Sequence, residues 1–299
     1  MIRSLGMLLV VVLIAACNAA TPPSPSPTPQ PSPIPSPTPA PSASPAADFY
    51  LRAWTSQALP PQHTFTSMPM LTVADGMLLD GNVAIPAIYP GPLMISPIAR
   101  TISDEGIAAL IDEARTLGLL GEEADFTGGA IMPGGQTAQI EIVVDGQSRL
   151  LSGDPQISVP CNSDGKCPAE PGTPEAFAAF WQELMNSQTL LEGALGPVVE
   201  YEPERVAVLF TAPPAEEPGL SPEPVEWPLE TPLAETGVEF PGEEGVRCVT
   251  LEGEDLAAVL PILQAGNALT TVIDADDTQA GLNVRVLVPG DESPCPDQA

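Results

Sequence analysis

Residues 21–47 read TPPSPSPTPQPSPIPSPTPAPSASPAA, close to one proline in every two residues. Proline lacks a backbone N–H and holds φ fixed, so such a run neither pairs into a central strand nor continues a helix. It adopts extended polyproline II and has almost no apolar surface to bury. At ~3.1 Å per residue the run reaches up to roughly 80 Å. The chain therefore divides into a short leader, a stiff spacer, and about 250 residues that alone can build a core.

The leader has Arg3, then the apolar run Met7–Ile14, then Ala15-Ala16-Cys17. A basic start, a short apolar stretch and small residues are the layout of a secretory signal. The run falls well short of the roughly 20 residues that cross a hydrocarbon core. Leu13-Ile14-Ala15-Ala16-Cys17 resembles the bacterial lipobox, which implies cleavage before Cys17 and its acylation with chains such as palmitate. The alternative is an ordinary secretory signal with an incidental cysteine. On the lipobox reading residues 1–16 are a signal peptide and 17–47 a lipidated cysteine with its tether. Export follows, with anchoring at the outer side of the cytoplasmic membrane or in the cell envelope. The alternating Ser-Pro and Thr-Pro pairs also suit O-glycans.

Nine Lys and Arg face 39 Asp and Glu, a formal charge of -30. Nucleic-acid binding releases counterions through clustered cations, and this chain has none in its sequence, so that partner class is excluded. The same shortage removes a polybasic membrane patch and leaves membrane contact to the lipid on Cys17. Besides Cys17 there are Cys161, Cys167, Cys248 and Cys295. In an oxidising compartment four cysteines make two disulfides, with three connectivities open. The favoured one joins Cys161 to Cys167 across a short turn and Cys248 to Cys295 near the C-terminus. Zinc fits poorly, because no Cys-x-x-Cys pair occurs and His63 is the only histidine.

Alternation marks Phe49–Ser56 as a strand. Asp75-Gly76 and Asp145-Gly146 are two-residue hairpin turns, between Met68–Val73 and Met77–Leu79 and between Gln136–Val144 and Gln147–Leu151. Val83–Ile88 has strand character as well. Arg100–Ile102 enters a helix capped by Ser103, with Ile107, Leu110, Ile111 and Ala114 on one face and Gly118 as its stop. A second helix spans Pro174–Leu191, capped by Thr173, with Phe177, Phe180, Trp181 and Leu184 as a core stripe. Arg205–Thr211 and Val246–Leu251 are strands. Glu254–Gln264 is a helix with a kink expected at Pro261, and Leu269–Ile273 with Leu282–Val288 form a last hairpin.

The fold class expected is α+β, with mostly antiparallel sheets and helices packed on one face. The chain splits into an N-terminal half at 48–153 and a C-terminal half at 154–299. Arg100–Leu151 and Val246–Val288 each run strand, helix, hairpin, so two related halves are an expectation.

No constellation in the sequence singles out a catalytic centre. His63 sits in a loop-like stretch, no Gly-x-Ser-x-Gly elbow occurs, and Lys166 is the only lysine. Gly128-Gly129 and Gly134-Gly135 lack the strand–helix context of a phosphate loop. Asp274, Asp276 and Asp277 lack the glycine and distal glutamate of a calcium loop and fit a hairpin turn instead. No metal and no cofactor are expected.

Tyr89-Pro90-Gly91-Pro92, Gly118-Leu119-Leu120, Val246-Arg247-Cys248, Leu256 to Pro261, Asn267-Ala268-Leu269-Thr270, Val284 to Pro289 and Cys295 carry a resemblance. They resemble uncharacterised secreted lipoproteins of high-GC bacteria, over most of residues 48–299. The resemblance implies the Cys248–Cys295 pair and brings no functional residues. This chain has Thr271-Val272 where those lipoproteins often carry Trp.

The function expected is a lipid-anchored envelope protein presenting a non-catalytic binding or scaffolding domain, most simply a monomer. The alternatives are an inhibitor of a secreted enzyme and a carboxylate-based envelope hydrolase. Partner contact is expected on the excursion 212–244, with nine Glu and eight Pro. There Trp227 would be a rigid anchor flanked by Glu226 and Glu230, facing a basic envelope protein. The competing reading has Val225, Trp227 and Leu229 packing inward as a belt.

Overall fold

The computed structural model describes residues 49–56, 64–83, 87–121, 125–127 and 136–296. Cys17, the proline-rich spacer, His63 and the Gly128-Gly129 and Gly134-Gly135 pairs lie outside the described residues. All described residues belong to one compact unit. The fold is α+β with mostly antiparallel sheets.

The first sheet is built from β1 (Tyr50–Ser56), β2 (Leu71–Ala74), β3 (Met77–Asp80), β4 (Ile98–Ile102), β5 (Asp125–Phe126), β6 (Thr137–Val144), β7 (Gln147–Gly153) and β8 (Leu195–Val199). Its order is β5-β7-β6-β1-β2-β3-β4-β8, and only β5–β7 is parallel. The second sheet holds β9 (Arg205–Thr211), β10 (Val225–Glu226), β11 (Val238–Glu239), β12 (Arg247–Glu252), β13 (Thr271–Ile273) and β14 (Gln279–Leu287). Its order is β10-β13-β14-β9-β12-β11, and only β10–β13 is parallel. Among the described residues four helices accompany them: α1 (Asp104–Thr116), α2 (Pro174–Met185), α3 (Ser187–Leu190) and α4 (Gly253–Ala265).

Local chemistry explains most of these elements. Asp75 and Gly76 have φ of +50° and +71°, Asp145 and Gly146 +52° and +72°. Two successive positive φ values are what the tight hairpin turn demands, and Asp-Gly tolerates them. Ser103 Oγ accepts the Gly106 N–H at 3.3 Å and Thr173 Oγ1 the Ala176 N–H at 3.1 Å, capping α1 and α2. The single helix expected over Pro174–Leu191 is instead two. Asn186 ends α2 by turning its Nδ2 onto the Gln182 carbonyl at 2.8 Å, and α3 restarts after it. α4 runs through Pro261 without ending there. Of Val83–Ile88, residues 84–86 lie outside the described set and the flanking residues form no strand.

Alternation decides the two cores. Leu51 and Ala53 of β1 join Leu71, Val73, Ile140, Ile142 and Leu151 beneath α1 and α2. Phe177 of α2 stacks on Phe126 at 5.9 Å, and a Cβ on Gly153 would lie 2.2 Å from the Phe177 ring, so glycine is required there. In the second sheet Val206, Val208 and Phe210 face α4 through Leu256, Val259 and Leu263. Ala207 and Leu209 face the other way, onto Phe65, Phe240, Cys248 and Cys295.

The chain leaves the first sheet at Val199 and enters the second at Arg205, so α2, α3 and β8 pack with the first sheet although they follow residue 154. The strand–helix–hairpin order occurs twice, but the hairpins join their sheets differently. β6–β7 docks on β1 through its first strand, whereas β13–β14 docks on β9 through its second. The two segments share elements and not a topology. Both favoured disulfides are present, Cys161–Cys167 and Cys248–Cys295.

Candidate functional site at the junction of the sheets

Tyr50, Arg52 and Trp54 occupy the face of β1 turned away from the helices, as strand alternation requires. The chain beyond β14 returns to that face, and Cys248–Cys295 fastens it there. Tyr50 donates its hydroxyl to the Pro289 carbonyl at 3.2 Å. Burial pushes this phenol up to about 12, against the opposing pull of Arg52. Gly290 has φ +76°, and a Cβ on it would come 2.1 Å from the Tyr50 oxygen. A glycine is needed on both counts.

Asp291 is the centre of the junction, its side chain only 2% exposed. Its Oδ1 lies 3.1 Å from Arg52 Nη1 and its Oδ2 3.0 Å from Arg285 Nη2 on β14. Its main-chain carbonyl accepts from Arg205 Nη2 at 2.5 Å. Arg52 also donates to the Gly290 carbonyl at 2.9 Å and to Glu141 at 3.1 Å, and lies 4.5 Å over the Trp54 ring. The Nε atoms of Arg52 and Arg285 are buried with no hydrogen-bond partner. In a chain with nine Lys and Arg in all, three arginines thus meet at one residue.

Two depressions open beside this clamp. A cleft of about 580 Å³ is lined by Arg52, Trp54, Ser67, Met68, Arg285 and Glu292, among others. A groove of about 210 Å³ runs along β14 and is lined as well by Thr66, Met68, Leu93 and Ile95. Met68 and Arg285 line both, so the two depressions adjoin. The arrangement offers fixed guanidinium donors, hydroxyls and an apolar wall: chemistry suited to holding a ligand.

The residues singled out from sequence fall elsewhere. Trp227 is 4% exposed and packs edge-on against Phe210 at 5.3 Å, while its main chain donates to Ile273 at 2.8 Å. It cannot be an exposed anchor, because core packing has taken its ring; the belt reading describes it. Glu226 and Glu230 stay exposed on either side. The excursion places β10 and β11 on the two outer edges of the second sheet and sends Leu233 into its core. Asp274 caps its own turn, accepting from Asp276 at 3.0 Å, Thr278 at 2.9 Å and Leu233 at 2.8 Å. Among the described residues no group of three or more His, Cys, Asp or Glu is placed to hold a metal ion.

Lys166, in the Cys161–Cys167 turn, pairs with the buried Glu113 of α1. Glu183 of α2 is fully buried beside them, and its Oε1 accepts the Cys167 N–H at 2.6 Å. Burial pushes the Glu183 carboxyl up to about 7, the Cys167 N–H pulling the other way. No sequence motif marks Arg52, Arg285 and Asp291. The available signal was an arginine beside a tryptophan on one face of an alternating strand, in a chain poor in arginine.

Compared with known proteins, the chain matches no family model, no curated protein and no solved structure. Its class therefore rests on its own geometry: a disulfide-stapled α+β domain with a clamped cleft between two sheets.

Proposed function

We propose that this is a lipid-anchored cell-envelope protein whose domain at 49–296 is a binding module, using the cleft and groove beside Asp291. The observation that carries the binding half is the clamp itself. Two arginines that line an open cleft, Arg52 and Arg285, are held by one buried carboxylate, so the recognition groups are ordered before any ligand arrives. The lipobox-like Leu13–Cys17, the proline-rich spacer and the resemblance to secreted lipoproteins support the anchoring half. Among the described residues no helix is long and apolar enough to cross a membrane.

A carboxylate-based hydrolase would draw on Glu113 and Glu183. Glu183 is fully enclosed, with one oxygen committed to Cys167, which suits a structural proton better than a general acid.

Site-specific photo-crosslinking in the native envelope tests the binding reading. A photoreactive residue at Met68, which lines both depressions, is expected to capture an envelope component. The same residue at the exposed Leu150 serves as the control and should capture none. Equal capture at both positions, or none at Met68, contradicts a binding module at this site.

A further inference from the structure

β14 is nine residues long, Gln279–Leu287, but its two neighbours cover it unequally. β9 pairs with 281–287, whereas β13 pairs only with 279–281. After Thr271 the chain, followed backwards, turns away: Asn267 and Thr270 close a turn through the Thr270 N–H to the Asn267 carbonyl at 2.9 Å. Residues 282–287 thus have a second edge that no strand among the described residues pairs with. In a strand every second residue directs its N–H and C=O to a given side, so this edge offers a ladder of unmet donors and acceptors.

The groove follows that edge. Leu282, Asn283, Val284, Arg285 and Val286 all line it. Side chains of consecutive strand residues point to opposite faces, so a cavity touching five in a row views the strand from its edge. Five residues at ~3.3 Å each give a track of roughly 17 Å. Leu282 and Val284 face the α4 side of the sheet, where Leu93 also packs. Arg285 faces the cleft, where it gives one N–H to Asp291.

Resting on the binding reading above, we propose that this edge receives an extended segment of a partner protein as an added strand. The segment carries apolar residues at alternate positions and an acidic side chain between them, opposite Arg285. Main-chain bonds to β14 supply the affinity, and the Arg285 pair with the apolar wall supplies the register. Charge favours an acidic side chain at one place: among the described residues lining the groove, Arg285 is the single charged one, set between apolar and neutral neighbours.

The probe is a fluorescent peptide amide, Thr-Val-Glu-Val-Glu-Val-Thr, titrated into the full mature chain and read by anisotropy. Three altered peptides leave the protein untouched: one N-methylated on odd-numbered residues, one on even-numbered residues, and one with Lys for Glu. Saturable binding is expected, weakened about tenfold or more by one methylation set and little by the other, since only one set of N–H groups meets β14. The lysine peptide should also bind about tenfold more weakly. On binding, backbone amides within 282–286 should gain protection from hydrogen exchange. Absence of saturable binding, or equal loss from both methylation sets, overturns the proposal. Capture of a glycan at Met68 with no peptide binding also overturns it, while leaving the binding module in place.

Discussion

Arg52 and Asp291 form an ion pair of 3.1 Å whose side chains are 16% and 2% exposed, although 239 residues separate them in sequence. The pair ties a central strand of the first sheet to the segment that follows the last strand of the second. Arg285 shares the same carboxylate from that last strand. Buried charges are costly alone, so each member of such a cluster holds the others in place.

Replacing Asp291 by Asn removes the charge and leaves two largely buried guanidiniums facing one another. Loss of one partner from a buried pair typically costs 3–5 kcal/mol, and partial exposure of the arginines lowers this to about 2–4. Urea unfolding of Asp291→Asn against the parent measures it. A change below about 0.5 kcal/mol, the scale of an ordinary surface substitution, would show that the clamp contributes little.

The two disulfides should differ in weight. Cys248–Cys295 closes a separation of 47 residues and Cys161–Cys167 one of 6. In the loop-entropy picture the first contributes about 4 kcal/mol and the second about 2. The longer link also holds Asp291 at the junction. Thermal melts of the paired serine variants should therefore rank Cys248/Cys295 as the more damaging loss, and the reverse ranking would contradict the assignment.

Glu183 makes stability depend on pH in a stated direction. Its carboxyl is raised from 4.5 to about 7 in the folded protein, chiefly by burial. The folded state then holds the proton more tightly than the unfolded chain. Stability from this group is complete below pH ~4.5, falls as pH rises towards 7, and levels off above. Glu183→Gln removes that fall while keeping an oxygen for the Cys167 N–H. Relative to the parent, the variant should be up to about 3 kcal/mol better off at pH 8 than at pH 4. Parallel unfolding curves for the two proteins across that range would refute the shift.

Trp227→Ala should open a cavity against Phe210 and cost about 3–5 kcal/mol. Glu226→Ala and Glu230→Ala, both exposed, should stay within about 0.5 kcal/mol of the parent. Differential scanning calorimetry of the three variants separates a packed belt from an exposed anchor; a Trp227→Ala melt equal to the parent would restore the anchor.

The sequence revealed what depends on neighbours close in the chain. Asp75-Gly76, Asp145-Gly146, Ser103 and Thr173 announced their turns and caps because each acts within a few residues. The α2–α3 break at Asn186 was hidden, since helical periodicity continues through it and only the amide's turn onto Gln182 ends the helix. β8, β10 and β11 were equally hidden, for each is short and exists only by pairing with a distant strand. The junction was the least legible part. Arg52, Arg205, Arg285 and Asp291 meet through tertiary contacts alone, and nothing in their spacing records it. For Trp227 the sequence leaves anchor and belt both open, because a proline- and glutamate-rich surround looks solvent-exposed while the ring itself fills a gap over Phe210.

The proposed anchoring of this domain at a membrane turns on Cys17, and the chemical state of that residue tests it most directly. Cells expressing the full chain or Cys17→Ser are labelled with an alkyne-tagged fatty acid, and the purified proteins are probed for the tag. Label is expected on the parent, with a mature chain beginning at Cys17, and none on the serine variant. Equal label on both proteins, or an unlabelled parent, would contradict it.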